Sequence, residues 1–193
     1  MAVEPSTSER LLTTAADLFR RKGYAQATTR ELSDALGIRK ASLYHHISTK
    51  EDLLYAISMH SLARIAEAAE AAAAQAPAEE RLRAVIRAHV VSALGERDMQ
   101  MVTAIELRAL SPERRREVIA ERDRYQALVR RLIAADQQAG RLRGDIDSKL
   151  LTLSLLNLLN WTIFWFDPDD ELSPEQLGET LAAVFVEGAT GRA

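Results

Sequence analysis

The chain has 193 residues, no cysteine, 25 Lys and Arg against 28 Asp and Glu, a net charge of −3, and 47% apolar residues. That is enough apolar material for a buried core in one or two domains. Without cysteine there are no disulfides, no thiolate catalysis and no zinc-finger site, and residues 1–8 lack the apolar stretch of a secretory signal, so a cytoplasmic location is expected.

In chain order, Leu11, Leu12, Ala15, Leu18 and Phe19 recur at helical spacing, predicting a first helix over residues 8–22 that stops at Gly23. Residues 28–50, TTRELSDALGIRKASLYHHISTK, then read as helix, tight turn, helix. Thr28 and Glu31 have the spacing of a capping box. Gly37 stands where a left-handed residue ends a helix without a Cβ clash. A short second helix is expected from about residue 40 to 46, with Leu43 turned inward and Ile38 and Ile47 packed onto Leu32 and Leu36. Its outer face would carry Ala41 and His45, flanked by Ser42 and Tyr44, with Arg39 and Lys40 at its start. Seven helical residues span roughly 10 Å, which suits a major groove about 12 Å wide. Short polar side chains on that face bring the backbone close to base edges, while Tyr44 and Lys50 have the reach for phosphate oxygens.

The charge distribution agrees. Residues 20–50 carry seven basic against two acidic side chains, and residues 51–193 carry 17 against 23. A basic footprint on an acidic body is the pattern of a nucleic-acid binder.

Ser48 with Glu51 suggests a second capping box, opening a long helix to about Gln75. Pro77 suits the first turn of the next helix, which runs to Leu94 with Leu82, Val85, Ile86, His89, Val90 and Ala93 on one stripe. A short helix over residues 99–107 follows. A long one then starts at Ser111-Pro112 and ends near Gly140, with Arg114, Arg115 and Arg116 read as a solvated first turn. From residue 150 to 166 the chain holds 12 apolar and 5 polar residues. A membrane span needs about 20, and Asn157 and Asn160 would be costly in lipid, so no membrane partner is expected. Ser173 and Gln176 cap a final helix with Leu177, Leu181, Val184 and Phe185 on a narrow stripe, and this stripe together with the apolar helix before Phe166 is the expected subunit interface of a homodimer. No alternating strand pattern occurs. The expected fold is all-α with about nine helices, divided into an N-terminal three-helix domain (1–50) and a C-terminal helical domain (51–193).

No catalytic constellation emerges. His45, His46, His60 and His89 lack metal-ligand partners at helical spacing, and no nucleophile elbow, P-loop or dinucleotide fingerprint is present. No metal and no cofactor are expected, and the chain is read as a non-enzyme. His89 on an apolar stripe suits either a core position or a ligand contact. The buried amides expected at Asn157 and Asn160 need partners, which can lie in the same chain, across a subunit interface or on a ligand. Trp161, Phe164 and Trp165 supply aromatic surface beside them.

The stretch 28–54, with Thr28-Thr29, Gly37-Ile38, Tyr44, Ile47 and Lys50-Glu51, resembles the TetR/AcrR family of bacterial one-component regulators. Ile47 stands where the family usually has Phe, and Ala41 where Gly or Pro is common. The resemblance implies a homodimeric repressor that binds a palindromic operator in double-stranded DNA and is released by a small-molecule inducer. It implies DNA contacts from Thr28, Thr29, Arg39, Lys40, Ala41, Ser42, Tyr44, His45 and Lys50. NWTIFWFDP (160–168) and ELRALSPERRREV (106–118) are similar to the subgroup that senses acyl-CoA thioesters. For such a ligand the candidate residues are His89, Arg108, Arg122, Tyr125, Asn157, Asn160, Trp161, Phe164 and Trp165, with the arginines meeting the nucleotide phosphates. The competing reading is an all-helical enzyme or interaction module carrying an incidental helix-turn-helix.

Overall fold

The computed structural model describes residues 7–43, 47–169 and 171–190. Among them it is all-helical, with nine α-helices: α1 Thr7–Lys22, α2 Thr29–Leu36, α3 Lys40–Leu43, α4 Lys50–Gln75, α5 Arg81–Gly95, α6 Arg97–Ile105, α7 Pro112–Gln138, α8 Ser148–Trp165 and α9 Pro174–Gly188. A 3-10 turn, Leu107–Ala109, separates α6 from α7. None of these helices is long and apolar enough to cross a membrane. Two compact units result, residues 1–61 with 96–119, and residues 62–95 with 120–193. Both α4 and α7 contribute to each unit.

In the first unit, α1 packs on α2 and α6. Its apolar stripe buries Leu11, Leu12, Ala15, Leu18 and Phe19, and Leu32, Leu43, Ile47, Leu53, Leu54 and Ile57 are also buried. The capping box at α2 is complete: the Glu31 N–H donates to Thr28 Oγ1 (3.2 Å) and the Thr28 N–H donates to Glu31 Oε2 (3.1 Å). At the other end Gly37 has φ +68°, and the N–H groups of Gly37 and Ile38 return to the carbonyls of Asp34 and Ser33. Ile38 departs from expectation, being 37% exposed. The cap of α4 also differs. Thr49 and Asp52 form it, with the Thr49 N–H donating to Asp52 Oδ2 (2.6 Å) and the Asp52 N–H to Thr49 Oγ1 (3.1 Å). Glu51 is committed elsewhere, accepting the Ser111 N–H at 2.8 Å.

In the second unit α5 is central and packs on α8 and α9. The core gathers Leu82, Val85, Ile86 and Val90 of α5 with Val129, Ile133, Leu151, Leu155, Leu159, Leu177 and Leu181. α9 begins with the expected Ser173–Gln176 capping box and Pro174 in its first turn. It crosses α5 closely. A Cβ built on Gly178 would stand 3.1 Å from Arg87 Cα and 3.3 Å from the Arg87 carbonyl oxygen. Backbone cannot move aside as a flexible side chain can, so this contact tolerates hydrogen and little else. The Gly178→Val variant should keep its helical far-UV signal but lose about 1–3 kcal/mol of stability, the usual cost of overpacking, measured as a lower urea midpoint of unfolding.

Candidate functional site

The region expected to meet DNA is α2, the turn at Gly37 and α3. Arg39, Ala41 and Ser42 are exposed there, and Arg30 on α2 is also exposed. Tyr44 and His45 lie outside the described residues, as does the side chain of Lys40. Thr28 is exposed with its hydroxyl engaged in the cap, and Thr29 is half-buried. Much of the basic charge is already partnered. Arg20 pairs with Asp98 at 2.6 Å, Arg21 with Asp17 at 2.6 Å, and Lys22 with Glu31. Lys22 first, and Thr28 second, hold the Glu31 carboxyl below its ordinary value of 4.5. Arg30 and Arg39 form no ion pair among the described residues.

Lys50 has a different position from the free phosphate-seeking cation expected for it. Its ammonium donates to the carbonyl oxygens of Tyr24 (2.7 Å), Ala25 (3.1 Å) and Ala27 (3.0 Å). It also stands 4.5 Å from the centroid of the Tyr24 ring, which packs edge-on against Phe19. A lysine ammonium has three protons to donate, and three carbonyls meet them. The loop between α1 and α2 is thereby tied to the first residue of α4. Glu106 ties the same loop from the other side, accepting the Tyr24 N–H at 3.2 Å.

The residues after Lys50 extend this scaffold. Asp52 pairs with Arg114, whose guanidinium is also 3.7 Å from Glu51 and lies over the Tyr55 ring at 5.3 Å. Arg114 is therefore half-buried in an ionic cluster and not part of a solvated turn. Its signal in the sequence was the acidic pair Glu51-Asp52, a complement that spacing alone could not bring to it. Arg114 holds the Asp52 carboxyl below its ordinary value of 3.8, and the Ser111 backbone N–H does most to hold Glu51 below 4.5.

Among the expected ligand residues, the second unit brings together three. His89 of α5 is 1% exposed, and its Nδ1 lies 2.9 Å from the Tyr125 hydroxyl of α7. Burial lowers the His89 pKa to about 4, opposed by the Asn160 side chain of α8, and burial pushes the Tyr125 phenol up. Arg122 is half-buried, with its guanidinium pKa lowered by burial. The rest are apart from this cluster. Asn157 is exposed, Trp161 is 64% and Trp165 50% exposed, and Phe164 stacks at a tilt on Trp161 with centroids 4.7 Å apart. Arg108 is exposed in the first unit. A groove of about 410 Å³ beside the α8–α9 loop, lined by Val91, Leu94, Phe166 and Leu172, contains none of the nine.

The expected dimer stripe on α9 is also redistributed. Leu177 and Leu181 are consumed by the core of their own chain, and Phe185 packs against it half-buried. Val184 alone of the four points outward, 59% exposed. The α9 stripe faces α5 because that is where the chain's own core lies. Most of the other exposed large apolar side chains of this unit lie on α8, the other helix expected at the interface, at Leu150, Leu153, Trp161 and Trp165.

The ionic cluster at the start of α4 has a defined pH response. Carboxyls with lowered folded pKa values contribute in full above their ordinary values of 3.8 and 4.5, and the contribution is lost as pH falls through the lowered ones. The gap in urea midpoint between the unaltered protein and Arg114→Met should therefore be constant from neutral pH to about pH 5 and shrink progressively below it. A gap that stays the same at pH 3 would show that the pairing adds no stability.

Comparison with known proteins gives the arrangement a lineage. Residues 11–57 match the family described as bacterial regulatory proteins, tetR family, and residues 75–189 match the tetracyclin repressor-like C-terminal domain. The structure is similar to that of PfmR, a TetR-family transcriptional regulator from Thermus thermophilus, at 34% identity and TM-score 0.86, covering 92% of this chain and 97% of that one. It is also similar to AibR in complex with isovaleryl coenzyme A and operator DNA, at 28% identity and TM-score 0.82, covering 93% and 97%. A curated relative, the fatty acid metabolism regulator protein of Bacillus subtilis (strain 168), is 21% identical over 92% of this chain and 93% of its own length. The chain belongs to the TetR family of bacterial transcriptional regulators, and α2 with α3 is its DNA-binding helix-turn-helix.

Proposed function

We propose that this protein is a homodimeric repressor that binds a palindromic operator and leaves it when an acyl-CoA-type inducer enters its second unit. The likeness to AibR carries this reading, since that protein was captured with both isovaleryl coenzyme A and operator DNA. The relative named as a fatty acid metabolism regulator fits this reading. Residues 1–50 form the DNA-binding part and residues 51–193 the ligand-binding and dimerising part. On the DNA side Arg39 and Arg30 supply phosphate contacts, and Ala41 and Ser42 present a small face to base edges, joined by Lys40, Tyr44 and His45. Lys50 acts through the loop it holds, positioning α2 against α4. Two such units on one duplex must match successive major-groove turns. A ligand that favours one arrangement therefore shifts DNA affinity by its differential binding.

Dimerisation is assigned to the outward faces of α8 and α9, at Leu150, Leu153, Trp161, Trp165 and Val184. Exposed apolar side chains on the outer side of a helix whose opposite side is packed are the kind of surface that protein partners cover, and an isologous contact places the same residues, with the exposed Asn157 among them, on both copies. Trp161→Asp introduces a charge at an exposed position, so the fold should persist while sedimentation shows monomer. A dimer of unchanged stability would remove α8 from the interface.

The functional test is fluorescence anisotropy on labelled duplex DNA across a salt series. Arg39→Ala should weaken binding to all duplexes alike and reduce the salt slope by about 1.8 units, the yield of one phosphate contact from each subunit of the dimer. Adding short, medium and long acyl-CoA esters to the preformed complex should release the operator at one chain-length range. If none releases it at any length, the inducer class is wrong while the DNA-binding assignment stands.

A further inference from the structure

Most buried polar side chains in the second unit are satisfied. Thr152 and Thr162 return their hydroxyls to carbonyls on α8, and Asp136 is held by Arg141. His89 is the exception. Its Nδ1 meets the Tyr125 hydroxyl, but its Nε2 is buried without a hydrogen-bond partner. Such orphaned groups are rare in folded proteins and cost stability.

The Tyr125 contact decides what Nε2 carries. A buried phenol needs an acceptor for its proton, and Nδ1 is the partner it has. A ring that accepts at Nδ1 and is neutral has its proton on Nε2. Burial keeps the ring neutral, with its pKa lowered to about 4. The unused atom is therefore a donor. The Asn160 side chain of α8 also acts on the ring, favouring its charged form, but makes no hydrogen bond of acceptable geometry to Nε2.

We infer that the Nε2–H of His89 is the hydrogen-bond donor for an uncharged acceptor on the inducer, the carbonyl oxygen of an acyl thioester or ester, and that Tyr125 positions the ring for it. This rests on the reading that the second unit takes an acyl-CoA-type inducer. A carboxylate is the wrong partner at this point. A neutral imidazole offers a dipole and no charge, and an anion buried against it has lost water without gaining a counterion. Arg122, three residues before Tyr125, has an interaction of its own. His89 thus selects the activated ester over the free acid.

The test is calorimetric titration of the full chain with three probes that share one chain length: octanoyl-CoA, its thioether analogue S-octyl-CoA, and octanoate. In the unaltered protein octanoyl-CoA should bind about ten- to hundredfold tighter than the thioether, the range expected when a buried donor gains its acceptor. His89→Phe should erase that preference by weakening the thioester and sparing the thioether, and His89→Gln, which keeps an N–H, should restore part of it. Nitrogen-15 spectra of histidine-labelled protein should show a neutral ring protonated at Nε2, assigned by its loss in His89→Gln, with the tautomer redistributed in Tyr125→Phe. Equal affinity for thioester and thioether, a preference that survives His89→Phe, or octanoate binding as tightly as octanoyl-CoA would each overturn the inference while the second unit remained a ligand site. If no acyl-CoA ester of any chain length binds, the inducer reading itself falls and takes the inference with it, and if only another length binds, the same three probes at that length decide. The probe comparison needs no variant, so a His89→Phe protein that fails to fold does not block the decision.

Discussion

The DNA-binding unit depends on one cation. The loop between α1 and α2 leaves the carbonyls of Tyr24, Ala25 and Ala27 outside any helix, and backbone acceptors away from water need donors. Lys50 meets all three from the start of α4. The next two residues continue outward, Glu51 to the Ser111 N–H and Asp52 to Arg114. Three consecutive side chains thus join the loop before the helix-turn-helix to the first turn of α7. A helix-turn-helix of this size buries little surface of its own, so its geometry is set by what it is tied to.

The second unit is organised by a different rule, the division of apolar surface between the inside of the chain and its outside. α8 is apolar on both faces. Leu151, Leu155, Leu159 and Ile163, spaced by four, turn to the core, while Leu150, Leu153, Trp161 and Trp165 turn away from it. α9 divides the same way on a smaller scale, with Leu177 and Leu181 inward and Val184 outward. Burial of such side chains is worth about 1.5–3 kcal/mol each, so the outward set is a substantial reserve for association.

Local chemistry was legible in the sequence and tertiary commitment was not. The Thr28–Glu31 and Ser173–Gln176 boxes and the Gly37 stop depend only on neighbours in the chain, and each formed as read. The cap of α4 was misplaced by one residue because Glu51 is claimed by Ser111, sixty positions away. Arg114 looked like solvated charge for the same reason. The faces of α8 and α9 were ambiguous because periodicity shows that a stripe exists, not which of two apolar stripes a chain keeps for itself. His89 was legible as a polar interruption of an apolar stripe, but its partner Tyr125 and its unused nitrogen were visible only in three dimensions.

The crossing at Gly178 has a consequence for that outward surface. α5 and α9 approach so closely here that even a Cβ at position 178 would stand 3.1 Å from Arg87 Cα, so a larger side chain at this point would push the helices apart. Arg87 with Glu179, and Arg83 with Glu187, pair across the same helices at 2.9 and 3.8 Å. The close approach and the two ion pairs together fix where α9 crosses α5. Val184, six residues further along α9, therefore takes its position relative to α5 from a contact that a single absent methyl group makes possible.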